Sequence, residues 1–205
     1  MDTVKNEVLP DRFTPAAVIS LIFHPLITPV PAGILILWLA DVNILFSVLW
    51  IGLCGSVVVL PLIGYLFIMK VIWDQNTSVQ EHRHQLYIIG IVLTITLILI
   101  LRYLTAPLIL RASIYSGALA GILGGFINTQ VKVSLHVGVS TGITIVLLSV
   151  HPWTGLLAGV LTLLIAAARY QMRHHTIQEL IIGFIVPTIS VLIAFEGVGI
   201  SILGS

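Results

Sequence analysis

The sequence predicts an all-α, polytopic membrane protein, a bundle of about six to seven transmembrane helices. The first ground is composition: 58% of the 205 residues are hydrophobic, only 8% are charged and the mean hydropathy is +1.14, far from the balance of a water-soluble domain. The second is the length of the apolar runs, which at ~1.5 Å per residue cross or nearly cross a ~30 Å hydrocarbon core. The third is the gathering of the few ionisable residues into short islands between those runs. A formal net charge of +1 offers no electrostatic footprint for nucleic acid. The lipid bilayer is the expected surrounding.

Residues 1–13 carry Asp2, Lys5, Glu7, Asp11 and Arg12 and read as an N-terminal interfacial segment, with 14–205 forming a single transmembrane domain. The first apolar run, 14–39, is too long for a signal-peptide core and has no small-residue cleavage site behind it, so it is expected to stay as a helix. Pro25, Pro29 and Pro31 should kink it. Further helices are expected at 44–69, 86–104, 107–127, 134–150, 153–170 and 178–203. Glycines four apart, Gly117, Gly121 and Gly125, then Gly138 and Gly142, then Gly155 and Gly159, form ridges that let helix backbones approach closely. Cys54 has no partner in the chain and reads as packing. Trp38, Trp50, Trp73 and Trp153 read as interface-belt residues.

Three stretches are too polar to face lipid: 70–85, 128–136 and 169–179. Two spans separate each from the next, so all three belong on one side of the membrane. The opposite connections, around Asp41, Tyr103 to Pro107 and His151, read as plain turns. Ionisable groups beside the bilayer cost several kcal/mol unless paired or hydrated, which makes the islands the place to look for chemistry. They hold Lys70, Asp74, Glu81, His82, Arg83 and His84, then Lys132 and His136, then Arg169, Arg173, His174, His175 and Glu179.

Arginine and lysine gathered without an acidic cage hold an anion, and guanidinium donors suit phosphate oxygens. His175 and Glu179 are four apart, on one face at the start of a helix, where the carboxylate holds one imidazole nitrogen and leaves the other free to attack. The helix N-terminus favours a bound oxyanion. His136 supplies a second imidazole, able to protonate a leaving alkoxide. Lys70, Arg12 and Arg173 read as snorkelling residues and His82, His84 and His174 as solvated loop residues; His24 either caps carbonyls freed by the proline or reaches the pocket, with the structural role preferred.

Ser134-x-His136 followed by Arg169-x5-His175-x3-Glu179 resembles the second and third signature motifs of the type 2 phosphatidic acid phosphatase superfamily, whose third motif reads Ser-Arg-x5-His-x3-Asp. The resemblance covers about residues 44–200, with the first helix additional, and is nearest to divergent prokaryotic members with a Lys-x-Ser-x-His second motif. It implies that His175 is the nucleophile that forms a phosphohistidine, Glu179 its orienting carboxylate and His136 the general acid, with Arg169, Ser134, Lys132 and Arg83 binding phosphate without metal or other cofactor. The departures are Ala168 before Arg169, Glu179 for Asp, Val133 and Leu135 flanking Ser134, and a first motif aligned only through Arg83.

The reading is therefore a metal-independent phosphatase of the cell membrane whose partner is a membrane lipid phosphate or diphosphate, of isoprenoid or phosphatidic-acid type. A homo-oligomer stays open. The alternatives are a catalytically inactive lipid-phosphate binder or transporter on the same scaffold, and a haem- or metal-binding histidine bundle, which lacks a supporting Cys or acidic cluster. Sidedness reads both ways, since most Lys and Arg lie on the site side, the cytoplasmic face by charge bias, while the resemblance implies the extracytoplasmic face.

Overall fold

The computed structural model describes residues 14–72 and 83–202, with 69–72 and 83–84 described by backbone alone. The helices are α1 (Pro15–Ile22), α2 (Pro29–Leu39), α3 (Ile44–Cys54), a π-helical turn (Gly55–Val59), α4 (Leu60–Ile72), α5 (Arg83–Tyr103), α6 (Leu108–Ile127), α7 (Leu135–Val150), α8 (Pro152–Gln171) and α9 (Ile177–Glu196). Among the described residues there is no strand, and five helical stretches are long and apolar enough to cross a membrane: Ile44–Ile68, Gln85–Tyr103, Leu108–Ile127, Pro152–Gln171 and Ile177–Glu196. Two shorter apolar helices, Pro29–Leu39 and Leu135–Val150, pack among them. The protein is a multi-pass, all-α membrane protein. Its outer face presents large apolar side chains, Phe46, Phe67, Leu99, Leu157 and Ile185 among them, as a bilayer contact requires.

The expected first helix, 14–39, is broken rather than kinked. Pro25 has no N–H for the carbonyl four residues back and disfavours helical backbone at His24, while Pro29 and Pro31 fit only the first turn of a new helix. The break is closed locally. His24 accepts the Ile27 and Thr28 N–H groups on its carbonyl, both at 2.9 Å, and the Leu26 N–H on Nδ1 at 3.3 Å. With 8 residues, α1 is far too short to cross a bilayer, and it lies against α8. The last helix also ends earlier than expected, at Glu196 rather than 203, where the chain turns through Gly197 and Gly199, the latter at φ 80°.

The most extensive packing joins α7 to α8 and α6 to α9, with α7 against α9 next. Pro187, inside α9, sits over Gly138 and Gly142, where added Cβ atoms would lie 3.6 and 3.9 Å from its ring. One turn earlier, a Cβ on Gly183 would stand 3.1 Å from the Ser134 carbonyl and 3.3 Å from Val137. Between α7 and α8, the Thr162 hydroxyl meets those of Ser140 and Thr144, each at 2.9 Å, which satisfies three hydroxyls away from water. Two apolar clusters complete the core, one around Phe195, Leu147, Val191 and Ile36, the other around Leu37, Leu97, Leu101 and Leu110. A third, Val137, Ala166 and Leu180, lies at the polar end of α7, α8 and α9.

The glycine ridges divide in their use. Those of α7 and α8 carry helix contacts, and Gly125 of α6 faces the Tyr87 ring, whereas Cβ atoms on Gly117 and Gly124 would meet nothing within 4 Å. Gly155 is the most demanding, since a Cβ there would lie 2.5 Å from the Leu148 backbone nitrogen. Gly155→Ala is expected to cost about 1–3 kcal/mol through overpacking, while Gly90→Ala, in open space, should be neutral or slightly stabilising. Thermal unfolding of both variants in one detergent checks this.

Candidate functional site

The site is assembled where α7 and α9 begin and α8 ends. α8 terminates as Arg173 adopts the left-handed conformation, φ 54°, uncommon outside glycine, which turns the chain back on itself. Three residues later Thr176 caps α9. Its hydroxyl accepts the Glu179 N–H and the Glu179 carboxylate accepts the Thr176 N–H, both at 3.3 Å, a reciprocal capping box. The same carboxylate oxygen, Oε2, accepts Nδ1–H of His175 at 2.7 Å. One carboxylate therefore ends the helix and fixes the tautomer of a buried imidazole, with Nδ1 protonated and Nε2 left as the basic nitrogen.

Burial is the main influence on His175 and lowers its pKa below the usual value; the Arg169 and Lys132 charges push the same way, against the hydrogen bond and charge of Glu179. His174, beside it, is shifted down by burial and by the same two cations, but its side chain stays exposed. Lys132 donates to the His174 carbonyl at 3.3 Å. That bond joins the 128–136 island to the 169–179 island, which had been placed together by span parity.

On the other wall, Arg169 in the last turn of α8 donates from Nη1 to the Ser20 hydroxyl at 2.7 Å. Ser20 belongs to α1, 149 residues away in sequence. His136 Nε2 lies 3.2 Å from the Ser20 carbonyl and 3.5 Å from its hydroxyl. A carbonyl can only accept, so Nε2 of His136 carries a proton. The carbonyl is free for this bond because the helix stops before Pro25, leaving a terminal acceptor without an intrahelical donor. The His24 ring stands edge-on to His136, centroids 5.7 Å apart, and His136 is within electrostatic reach of Arg169, His24 and His175.

The structure thus brings together His136, Arg169, Lys132, His175 and Glu179. Ser134 is fully buried at the N-cap of α7, but its hydroxyl bonds to none of them, and neither it nor Arg169 Nε has a partner among the described residues. Arg83 opens α5, whose first turns run beside the end of α6 at Tyr87 and Gly125; its side chain lies outside the described residues, as do those of Lys70 and His84 and the whole of Arg12, Trp73, Asp74, Glu81 and His82. The sequence gives no sign of Ser20, and His24, for which the structural role is preferred over the pocket, does both: it closes the break before α2 and its ring flanks His136. The capping box Thr176-x-x-Glu179 is readable from sequence and gives Glu179 a structural task, closing the start of α9, beside its hold on His175. His151, on the opposite side, caps α8 through Thr154. No three His, Cys, Asp or Glu side chains converge on one point among the described residues. Compared with known proteins, the chain matches no family model, no curated protein and no solved structure.

The downward shift of His175 has a definite pH sign. Its neutral form is held to lower pH than in the unfolded chain, so its contribution to stability is complete above the ordinary value of ~6.5 and is lost as pH falls through the window below it. Imidazole NMR should place the midpoint below ~6.5, and Glu179→Gln, by removing the opposing charge, should move it further down. A wild-type midpoint above the ordinary value would contradict the burial argument. Ser20→Ala leaves a half-buried guanidinium short of a partner and should lower stability by about 1–3 kcal/mol, with Ser20→Thr restoring most of it, both read by thermal unfolding.

Proposed function

We propose that the protein is a metal-independent membrane lipid phosphatase that hydrolyses a lipid phosphate or diphosphate through a phosphohistidine intermediate. The observation that carries this reading is the His175–Glu179 pair, 2.7 Å apart, with Nε2 of His175 making no hydrogen bond among the described residues and lying beside two cations. A pure anion seat needs the cations. It does not need an imidazole held in one tautomer by a carboxylate. The likeness of Arg169-x5-His175-x3-Glu179 and Ser134-x-His136 to the phosphatase motifs supports the same assignment.

In this reading Arg169, Lys132, Ser134 and Arg83 hold the phosphoryl oxygens and balance the charge that builds on them. Nε2 of His175 attacks phosphorus in line, forming a P–N bond as the P–O bond to the lipid breaks. His136, taken to its imidazolium beside the seated phosphoryl dianion, gives its Nε2 proton to the departing oxygen, an alkoxide from a monophosphate or the lipid phosphate from a diphosphate, and is left neutral. Water then attacks phosphorus and passes a proton back to His136. The P–N bond breaks, and inorganic phosphate leaves. Burial keeps His175 neutral, hence nucleophilic, at neutral pH. For binding, Arg169 and Lys132 exchange their resting bonds to Ser20 and the His174 carbonyl for phosphoryl oxygens.

The reading extends to architecture and place. α2 and α7 complete the five long spans as further membrane segments, giving the six-to-seven-segment layout, and the protein resides in the cell membrane. A second reading, a lipid-phosphate binder or carrier without catalysis, is favoured by one observation: the carboxylate of Glu179 also closes the α9 cap, so its presence alone is no catalytic mark.

Phosphate release from isoprenyl phosphates, isoprenyl diphosphates and phosphatidic acid separates the two. The expected outcome is release that persists in EDTA, falls by at least about 10³-fold in His175→Ala and by about 10²–10⁴-fold in His136→Ala. Retained lipid-phosphate binding with no release from any substrate by folded wild-type protein would establish the carrier instead.

A further inference from the structure

A cavity of about 450 Å³ lies between α2, the π-helical turn, α5, α6 and α7, within the ~300–1,000 Å³ range of small-molecule sites. Its walls are almost wholly apolar. The serine and threonine hydroxyls that reach it from α5 and α6 are turned to their own helices: Thr94 donates to the Gly90 carbonyl at 2.7 Å, Ser113 to Ile109 at 2.8 Å and Ser116 to Ser113 at 2.7 Å. Water in such a space would find too few partners, because a buried water needs two to four polar groups. The contents must be hydrocarbon.

At one end the cavity reaches Val133, Ser134 and Leu135, the start of α7 and the residues adjoining His136. There stands the Ser134 hydroxyl, fully buried and without a hydrogen bond among the described residues. An unmet buried hydroxyl costs about 1–3 kcal/mol, and its natural partner is a polar head at the end of an apolar chain. The glycines of α6 fit the same purpose. Gly117 and Gly124 line the cavity and touch no neighbour within 4 Å, so here the ridge keeps space open instead of packing helices. Across from them, the π-helical turn at Gly55 replaces the regular backbone, a distortion that concentrates at functional sites.

We propose that this cavity is the seat of a single hydrocarbon chain of the lipid substrate, entering beside Ser134, so that the enzyme acts on single-chain rather than two-chain lipid phosphates. The inference rests on the lipid-phosphate reading of the polar cluster for the headgroup. A volume of about 450 Å³ matches one chain of isoprenoid or straight alkyl type.

The test reads binding rather than catalysis, so the chain seat and the phosphatase reading fail separately. Purified full-length protein is titrated with radiolabelled farnesol and, in a second arm, hexadecanol, against dioleoylglycerol as a two-chain competitor. Saturable binding of about one alcohol per chain is expected, weakened about tenfold or more by Gly117→Leu and untouched by dioleoylglycerol. The tighter-bound alcohol distinguishes isoprenoid from straight-chain substrate. Unchanged binding in a Gly117→Leu protein that elutes and melts like wild type, or equal competition by dioleoylglycerol, overturns the proposal. If Gly117→Leu does not fold, a diazirine-bearing farnesol decides: crosslinks within α6 around Gly117 to Gly124 support the seat, and crosslinks confined to lipid-facing residues such as Leu157 and Leu163 overturn it. Bound alcohol without phosphate release from any lipid would keep the seat and remove the phosphatase.

Discussion

The close crossing of α7 and α9 is the constraint on which the arrangement depends. In a bilayer, helices gain little by hiding apolar surface from lipid, so they hold together through fit and through polar groups that find partners. Here Gly183 admits the Ser134 carbonyl and Val137, and Pro187 lies over Gly138 and Gly142. Proline in a helix interior gives up a hydrogen bond and frees a carbonyl, in this case that of Gly183, and its ring supplies a rigid knob in return. The starts of the two helices carry His136 and His175. A bulkier residue at Gly183 would part them and with them the polar cluster.

Around that crossing the polar groups support one another in a fixed order. Glu179 caps α9 and orients His175, so the folding of the helix start and the tautomer of the imidazole share one carboxylate. Lys132 ties the approach to α7 to the α8–α9 turn. The break in the first apolar run frees the Ser20 carbonyl for His136, and the Ser20 hydroxyl takes up Arg169. Pro25 acts by disfavouring helical backbone at His24: the helix ends at Ile22, the His24 N–H does not reach back to Ser20, and the Ser20 carbonyl becomes a site ligand.

Much of this was legible from residue order. Span parity placed the 128–136 and 169–179 islands together, and the Lys132–His174 bond joins them. The four-residue spacing of His175 and Glu179 predicts their contact but not its route: His175 stands before the Thr176 cap, outside α9, and the capping box turns the Glu179 carboxylate back to it. The run at 14–39 was misjudged because proline count does not say whether neighbouring helices will carry a kink or leave a break. Ser20 was invisible for a plain reason: a serine in an apolar run has no local signature, and its partners Arg169 and His136 lie more than a hundred residues away. The glycines of α6 look alike in sequence, yet Gly125 faces an aromatic ring while Gly117 opens onto the cavity.

The sequence by itself determined the membrane class, most helix boundaries, the pairing of His175 with Glu179 and the gathering of cations at one end, because hydropathy, helical period and span parity are one-dimensional quantities. Only the tertiary structure decided that α1 turns back to lay Ser20 between Arg169 and His136, that Ser134 stands unpartnered at the mouth of an apolar cavity, and which glycines pack and which leave room. Those outcomes depend on distances between helices, and distance between helices is set by side-chain fit across the bundle, which no spacing along the chain records.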